Sequence, residues 1–556
     1  MTIQILCEPK NITPRLEYII DFVFSTLGFS WKIVAFEDFK NTEDLIIGYL
    51  LPEKLLEYKN LNLINIPYSG QIQDLEQAER QEKIIKVGLE KIPILGKCIR
   101  KNNVLNWRKS TDWNYFYQTG YKGWQLEYDL FLNIFYHLSR FEERWRNFVD
   151  EAESDWAKSV LSKAGHLQIP TVDILIDYLK KIIYRKAKKT NQATIRILNW
   201  PQAEDFGVAF THDVDITRGV SVKDHMLAKG KMVLYGLAAI SDKKIQLKKG
   251  IDEKNRNVWS FNEIQNFYKQ RNWKATFFFI AKILEGGHLR YNIATEKFEQ
   301  LFKSLKSNGH EIALHPSLKS FENPKNYVEE KKKLEKYSAS KIEGMRQHYL
   351  RAKFPRLWEI ADRSELKYDS TLGYNFQVGF RSGTCFAHQV FNYSKDRQLN
   401  LVEYPLAFFE YNLPEQGIDE KKSIAVINSL IKQVEKYSGL LTVLLHPSNF
   451  LQKPYQHYWQ YLTAKLQKKK VYVATLADHL TWFFSRRKII IESQRISSKQ
   501  LQIVFKKQKH VSHFCFVITP AGEFEEKRNV TIKRLKQNVF QCRSNLSQIK
   551  LIFNIN

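Results

Sequence analysis

The sequence predicts a mixed α/β protein whose middle section is an incomplete (β/α)7-type barrel, with an N-terminal α/β domain and a small C-terminal β-rich domain. Three observations predict it. Between about residues 196 and 485, seven short strand-like runs alternate with helical patterns, as parallel β-α units require. Titratable residues stand repeatedly where those runs end. On either side of this section the patterning changes character.

The first stretch, 1–195, alternates the apolar runs TIQILC, WKIVAF, DLIIGYL and LINIPY with helical patterns. In RLEYIIDFVFSTLG and DLFLNIFYHLSRFEERWRNFV apolar residues recur at i, i+3 and i+4, which gathers them on one helix face. A helix at TVDILIDYLKKIIYRKAKK runs into the polar patch TNQAT, the expected boundary, and nothing before it points to chemistry. The middle section, 196–485, shows strands at VAFTHDVD (208–215), ATFFFIA (275–281), EIALH (311–315), GMRQHYL (344–350), KYDSTL (367–372), LVEYPLAFF (401–409) and LLTVLLHP (440–447). Helical stretches such as EKFEQLFKSLKSN and SIAVINSLIKQVEKYS fall between most of them. From 486 to 556 the runs KIIIES, LQIVFKK, HFCFVITP, NVFQCR and IKLIFNI predict a β-rich domain.

Composition narrows the class. The 556 residues are 44% hydrophobic and 13% aromatic, which supports packed cores and excludes a disordered chain. Five cysteines (Cys7, Cys98, Cys385, Cys515, Cys542) are scattered without CxxC spacing, against a disulfide framework or a cysteine zinc site and in favour of a reducing compartment. The opening MTIQILCEPKNITPRLEYIIDFVF lacks the pattern of a secretory leader, and no eighteen apolar residues run together. A cytoplasmic location without a membrane span is therefore expected. The net charge of +27 suits an anionic partner such as an acidic glycan or a lipid-linked phosphate. Yet the lysines spread along the whole chain, and no RNP motif, zinc finger or basic heptad region is visible, so a nucleic-acid partner is not expected.

Catalytic residues of β/α barrels come from the carboxyl ends of several strands. Here Asp213 and Asp215 end the first predicted strand and His315 the third, Arg346 and His348 lie in the fourth, Asp369 lies near the fifth, and His446 ends the last. Side chains two apart on a strand share a face, so Asp213 and Asp215 converge, as do Arg346 and His348. Facing carboxylates repel unless a cation intervenes, and a divalent metal on one with an arginine near the other resolves the conflict. The plainer reading of the Asp-x-Asp pair is a loop cap. His212 faces away from Asp213 and reads as a core histidine, and His310, ahead of its strand, reads as structural. Arg381, in GFRSGT (379–384), is either a loop arginine for a substrate carboxylate or phosphate, or an ordinary surface arginine.

THDVD, ATFFFIA, GHEIALHPS, GMRQHYLR, YDSTLGY and LLTVLLHP, in this order, resemble the motif set of the NodB-type polysaccharide deacetylases, the family 4 carbohydrate esterases. The resemblance covers the middle section, a little over half of the chain. It implies that Asp213 is the general base, that Asp215 and His315 are metal ligands, and that Arg346 orients the base. It further implies that the backbone amide of Tyr349 contributes to an oxyanion hole, and that His446, two residues after Leu444, is the general acid with Asp369 tuning it. Two departures stand out. Lys319 occupies the place of the family's second ligand histidine, and His348 replaces the proline of its R-x-P-Y motif. A protonated lysine cannot ligate a metal. His348 is then either the third ligand beside Asp215 and His315, leaving a position open for water, or a substrate-binding residue.

The implied activity is metal-dependent removal of N-acetyl groups from an amino sugar in a polysaccharide, oligosaccharide or glycolipid. Zn²⁺ is the expected ion, with Co²⁺ or Ni²⁺ as alternatives. Rival readings are a catalytically impaired glycan-binding module on the same fold, and a C–N amide hydrolase acting outside sugars.

Overall fold

The computed structural model describes residues 2–40, 44–51, 54, 63–87, 90–96, 116–118, 124–144, 159–215, 259–282, 291–413, 420–453, 455–525 and 529–555. Its N-terminal unit is built on a six-stranded sheet in the order Trp31–Ala35, Ile3–Cys7, Leu45–Leu50, Leu63–Pro67, Trp124–Leu126, Phe116–Gln118. All neighbours run parallel except the last, antiparallel pair. The helix Pro14–Leu27 starts where Thr13 accepts the Leu16 N–H and a proline fills the first turn, and it stops at Gly28 in the left-handed region (φ 82). It packs its apolar face with the helices Leu130–Leu138 and Thr171–Lys189 in one core.

The central sheet holds the middle of the chain together. Phe206–Val214 lies parallel to Ala275–Phe279, followed by Glu311–Leu314, Gly344–Met345, Tyr368–Asp369 and Arg397–Glu403. On its other side it pairs with Leu440–Leu445, which pairs in turn with Phe408–Phe409. The stretch between Glu403 and Phe408 joins the two ends. Tyr404 N–H donates to Asp369 O (2.8 Å), Leu406 N–H to Leu372 O (2.9 Å) and Ala407 N–H to Thr442 O (3.2 Å). The bonding path that leaves Leu440–Leu445 on one side therefore returns to it on the other. Strand alternation sorts the side chains: Val208, Phe210, Phe277 and Phe279 join the core shared with the surrounding helices, whereas Ala209, Phe278, Ala313, Tyr368 and Tyr404 cluster on the opposite face. Asp213 lies on the Ala209 side, which is what aims it into the site.

Several strands are shorter than the sequence predicts. The run expected at 344–350 stops at Met345 and gives way to the turn His348–Leu350, in which Tyr349 has φ 59 and ψ 20. The run at 367–372 reduces to Tyr368–Asp369, and the one at 401–409 splits into Arg397–Glu403 and Phe408–Phe409. A strand that sequence reasoning missed, His388–Asn392, pairs antiparallel with Arg397–Glu403.

The C-terminal strands form two four-stranded sheets: Ile490–Ser497, Gln500–Lys506, Gln548–Ile555, Gly522–Phe524 in one, and Thr531–Lys536, Val539–Arg543, His513–Thr519, Thr194–Ile197 in the other. Thr194–Ile197 precedes the central sheet in the chain, yet its Ile195 and Ile197 are buried with Phe514 and Phe516. Cys7, Cys385, Cys515 and Cys542 are buried free thiols, and Cys98 lies outside the described residues. Among the described residues no helix is long and apolar enough to cross a membrane.

Candidate active site

Four strands of the central sheet bring the titratable residues together at their carboxyl ends. Phe206–Val214 carries Asp213 and, one residue past its end, Asp215; Glu311–Leu314 delivers His315, Gly344–Met345 delivers Arg346, and Leu440–Leu445 delivers His446. His348 reaches the same place from the turn after Met345 rather than from the predicted strand.

Asp215 is the focus. Nε2 of His315 lies 3.3 Å and Nε2 of His348 3.6 Å from its Oδ1, and Nε2 of His446 lies 3.5 Å from its Oδ2. Donor atoms of Asp215, His315 and His348 all fall within 4.8 Å of one another. Burial pushes the Asp215 carboxyl up, but the His348 charge and the bonds to His315, His348 and His446 outweigh it and hold the group well below the usual carboxylate range. His315 is oriented by its other nitrogen: Nδ1–H donates to the Arg346 carbonyl (2.5 Å), which points Nε2 towards the aspartates.

Buried polar groups secure the two histidine turns. Glu330 accepts from Ser317 N–H (2.8 Å), Ser317 Oγ (2.6 Å) and Ser320 Oγ (2.5 Å), which shapes the chain after His315. Gln347, just ahead of His348, sends Nε2 to the Pro316 and Ser317 carbonyls (both 3.3 Å), gives its N–H to Thr371 Oγ1 (3.0 Å) and bonds the Tyr327 hydroxyl. Tyr349 and Leu350 follow with φ 59 and 51, a strained pair of the kind that concentrates at functional sites.

Arg346 is fully buried and holds Asp213. Its Nη1 donates to Asp213 Oδ1 (2.9 Å) and Thr211 Oγ1 (2.7 Å), while Nε and Nη2 donate to Ser370 O and Oγ (both 2.9 Å). Across the site His446 pairs with a carboxylate the sequence reading did not single out. Glu410 Oε1 lies 2.9 Å from His446 Nδ1, and also accepts the His446 N–H (2.9 Å) and Asn449 Nδ2 (2.6 Å). Burial opposes the charged imidazole, but bonds to Asp215 and Glu410 overcome it and raise His446 to about 10. Glu410 stands just after the predicted 401–409 strand, so the strand-end rule that found the other residues would have found it too.

Asp369, expected to tune His446, does not. Tyr368 points inward, so alternation turns Asp369 to the outer side of the sheet. There Oδ1 accepts the Thr371 N–H (3.0 Å) and hydroxyl (2.5 Å), and the carboxyl bonds Glu403, which also accepts from Trp358 Nε1 (3.0 Å) and Leu372 N–H (3.0 Å). Burial pushes Asp369 up to about 6, and burial with the neighbouring Asp369 charge pushes Glu403 well above its ordinary value. Both folded values are raised, so the pair's contribution to stability is full below about pH 4 and is lost as pH rises through about 6 and beyond. Replacing Glu403 with Gln removes one of the two titrations. Thermal melts at pH 5 and pH 8 are expected to show the variant losing less stability over that interval than the unsubstituted protein; parallel losses would contradict a shared proton.

Arg381 is neither a surface residue nor a substrate clamp. It is fully buried, with Nη2 2.7 Å from Glu143 Oε2 and Nη1 donating to Gly373 O (2.9 Å). His212 sits in the core, 2.8 Å from the Tyr268 hydroxyl and stacked on Phe277, and His310 accepts the Ala275 N–H (3.1 Å). The side chain of Lys319 lies outside the described residues.

A family of unknown function, DUF7033, matches residues 5–188 of the chain. No curated protein matches it. Among solved structures, the chain is similar to a Mycobacterium smegmatis protein assigned by its name to the polysaccharide deacetylases, at 16% identity and TM-score 0.37, over 54% of this chain and 98% of that one. It is similar to PuuE allantoinase at 12% identity and TM-score 0.35, over 51% and 92%. It is also similar to the polysaccharide deacetylase Bc1974 from Bacillus cereus, at 12% identity and TM-score 0.26, over 49% and 91%. Likeness at these scores carries no functional weight.

Proposed function

We propose that the chain is a metal-dependent hydrolase that removes N-acetyl groups from an amino sugar in a polysaccharide, oligosaccharide or glycolipid. The observation that carries this reading is the convergence of Asp215, His315 and His348 between two differently partnered proton-transfer groups, Asp213 on Arg346 and His446 on Glu410. The residues fit a cation. Ligand atoms around a tetrahedral ion with bonds of about 2.0–2.1 Å stand roughly 3.3–3.4 Å apart, and the Asp215 contacts at 3.3 and 3.6 Å are close to that. Oδ1 of Asp215 is buried and faces both imidazoles. A divalent ion there, Zn²⁺ or Co²⁺ or Ni²⁺ in its place, supplies a Lewis acid beside Asp213.

The chain's own groups do the rest. Asp213, with Oδ1 fixed by Arg346, takes a proton from the attacking water. His446, its ring held by Glu410, delivers a proton to the leaving nitrogen as the C–N bond breaks, so that acetate and a free amine result. The Tyr349 amide is assigned to the oxyanion that forms on the way. Leu350, Leu406 and Leu444 pack together with Phe409. On this reading the central sheet is the incomplete (β/α)7-type barrel, with 1–195 and 486–556 as flanking domains.

Purified protein is expected to release acetate from N-acetylated chito-oligosaccharides, to stop after dialysis against a chelator, and to recover with Zn²⁺ or Co²⁺. Release that survives complete metal removal, or no release from any such oligosaccharide, overturns the reading.

A further inference from the structure

The N-terminal unit meets the central sheet through buried charge. Arg140, with φ 55, stands just past Ser139, the cap of the Leu130–Leu138 helix, and opens the turn Phe141–Glu143. It sends Nε and Nη2 to Glu143 Oε1 (2.8 and 2.7 Å) and Nη2 to Glu142 Oε1 (2.8 Å). From the other side Arg381 reaches the same Glu143 with Nε (3.1 Å) and Nη2 (2.7 Å). Two arginines face two glutamates, all of them buried. Desolvation cancels much of what such a cluster gains in stability, whereas its forked bonds fix how the elements that carry it are placed.

The geometry it fixes leads to the active site. Arg381 Nη1 donates to the carbonyl of Gly373. Two residues on, Asn375 Nδ2 donates to the Tyr349 carbonyl (2.7 Å), next to His348. Between them, the Tyr374 carbonyl accepts from Asn412 Nδ2 (3.0 Å), in the same turn as Glu410. The far end of this loop is gripped by the N-terminal unit again: Phe380 N–H donates to Leu167 O (2.9 Å), Val172 N–H to Gly383 O (2.8 Å), and Thr384 Oγ1 to Asp173 Oδ1 (2.5 Å).

We propose that the N-terminal unit completes the active site, with Glu143 acting through Arg381 to hold the 373–375 segment that braces both the His348–Tyr349 turn and the Glu410 turn. Arg381 is thus a positioning residue for the reaction proposed above, on which this inference rests. Lysine cannot substitute, because a point charge lacks the fork that engages Glu143 twice while a third donor holds Gly373.

The test uses the full chain with Arg381→Lys and Glu143→Gln, and Asp173→Asn as a control at the loop's far end. Hydrogen exchange is followed in peptides covering 347–351, 372–376 and 410–412, alongside kcat and KM for acetate release. In Arg381→Lys, exchange in all three segments is expected to quicken about tenfold, and kcat to fall about tenfold or more with KM within about twofold, the pattern of misplaced catalytic groups. Glu143→Gln, read the same way, serves if the lysine variant does not fold, and Asp173→Asn leaves 347–351 and 410–412 unchanged. Unaltered exchange at 347–351 and 410–412, or a loss confined to KM, overturns the proposal. If the unsubstituted protein releases no acetate while Arg381→Lys still loosens the three segments, the hydrolase reading falls and the positioning role stands.

Discussion

Replacing His446 with alanine, or Asp213 with asparagine, is expected to lower turnover by roughly 10²–10⁴-fold while the fold survives. His446 carries a large effect because its geometry suits the proton transfer: its Nδ1 is committed to Glu410 and its Nε2 faces the site. Asp213→Asn keeps the shape and leaves Arg346 a carbonyl to bond, so the loss reports proton transfer rather than collapse. Steady-state turnover with melting temperatures as the control decides it. If either variant retains near-full acetate release with unchanged metal content, that residue is not the proton-transfer group. Glu410→Gln gives a smaller, related effect, since it leaves a hydrogen-bonding side chain on His446 but removes the charge that favours the imidazolium.

Metal affinity is expected to fall by at least about 10–100-fold in His348→Ala, the range already seen when only an outer partner of a ligand is lost. The expectation rests on the 3.6 Å approach of His348 Nε2 to Asp215 Oδ1 and on its ring lying 4.9 Å from that of His315. Competition against a chromophoric chelator measures it, with His315→Ala as the reference. Equal affinity in His348→Ala and the unsubstituted protein would make His348 a substrate contact and reopen the third ligand position. A comparable loss in both variants would fix the Asp, His, His set.

Much of the candidate site is legible in the sequence. Asp213 and Asp215 share a face because strand side chains repeat every two residues, and His315 and His446 follow short apolar runs of strand length. His348 joined Asp215 for a reason the pattern did not contain: the chain leaves the sheet at Met345, and Gln347 and Tyr349 shape a turn that carries the imidazole inward. Asp369 shows the limit most plainly. Its position near a strand end is legible, but a strand of two residues has no periodicity to reveal which side each one faces, and the inward Tyr368 sends it to Glu403 instead.

The sequence by itself determined the alternation of strands and helices, the apolar faces that bury them, and which strand ends carry acids, bases and possible ligands. These follow from local periodicity and from residue chemistry, which a single chain displays. Only the tertiary structure decided the partners. Glu410 meets His446 from 36 residues away, and Arg381 meets Glu143 across 238. Such pairings depend on strand register, on where each strand stops and on how the N-terminal unit seats against the 373–385 loop. Those are outcomes of packing the whole chain, and no local stretch of sequence records them.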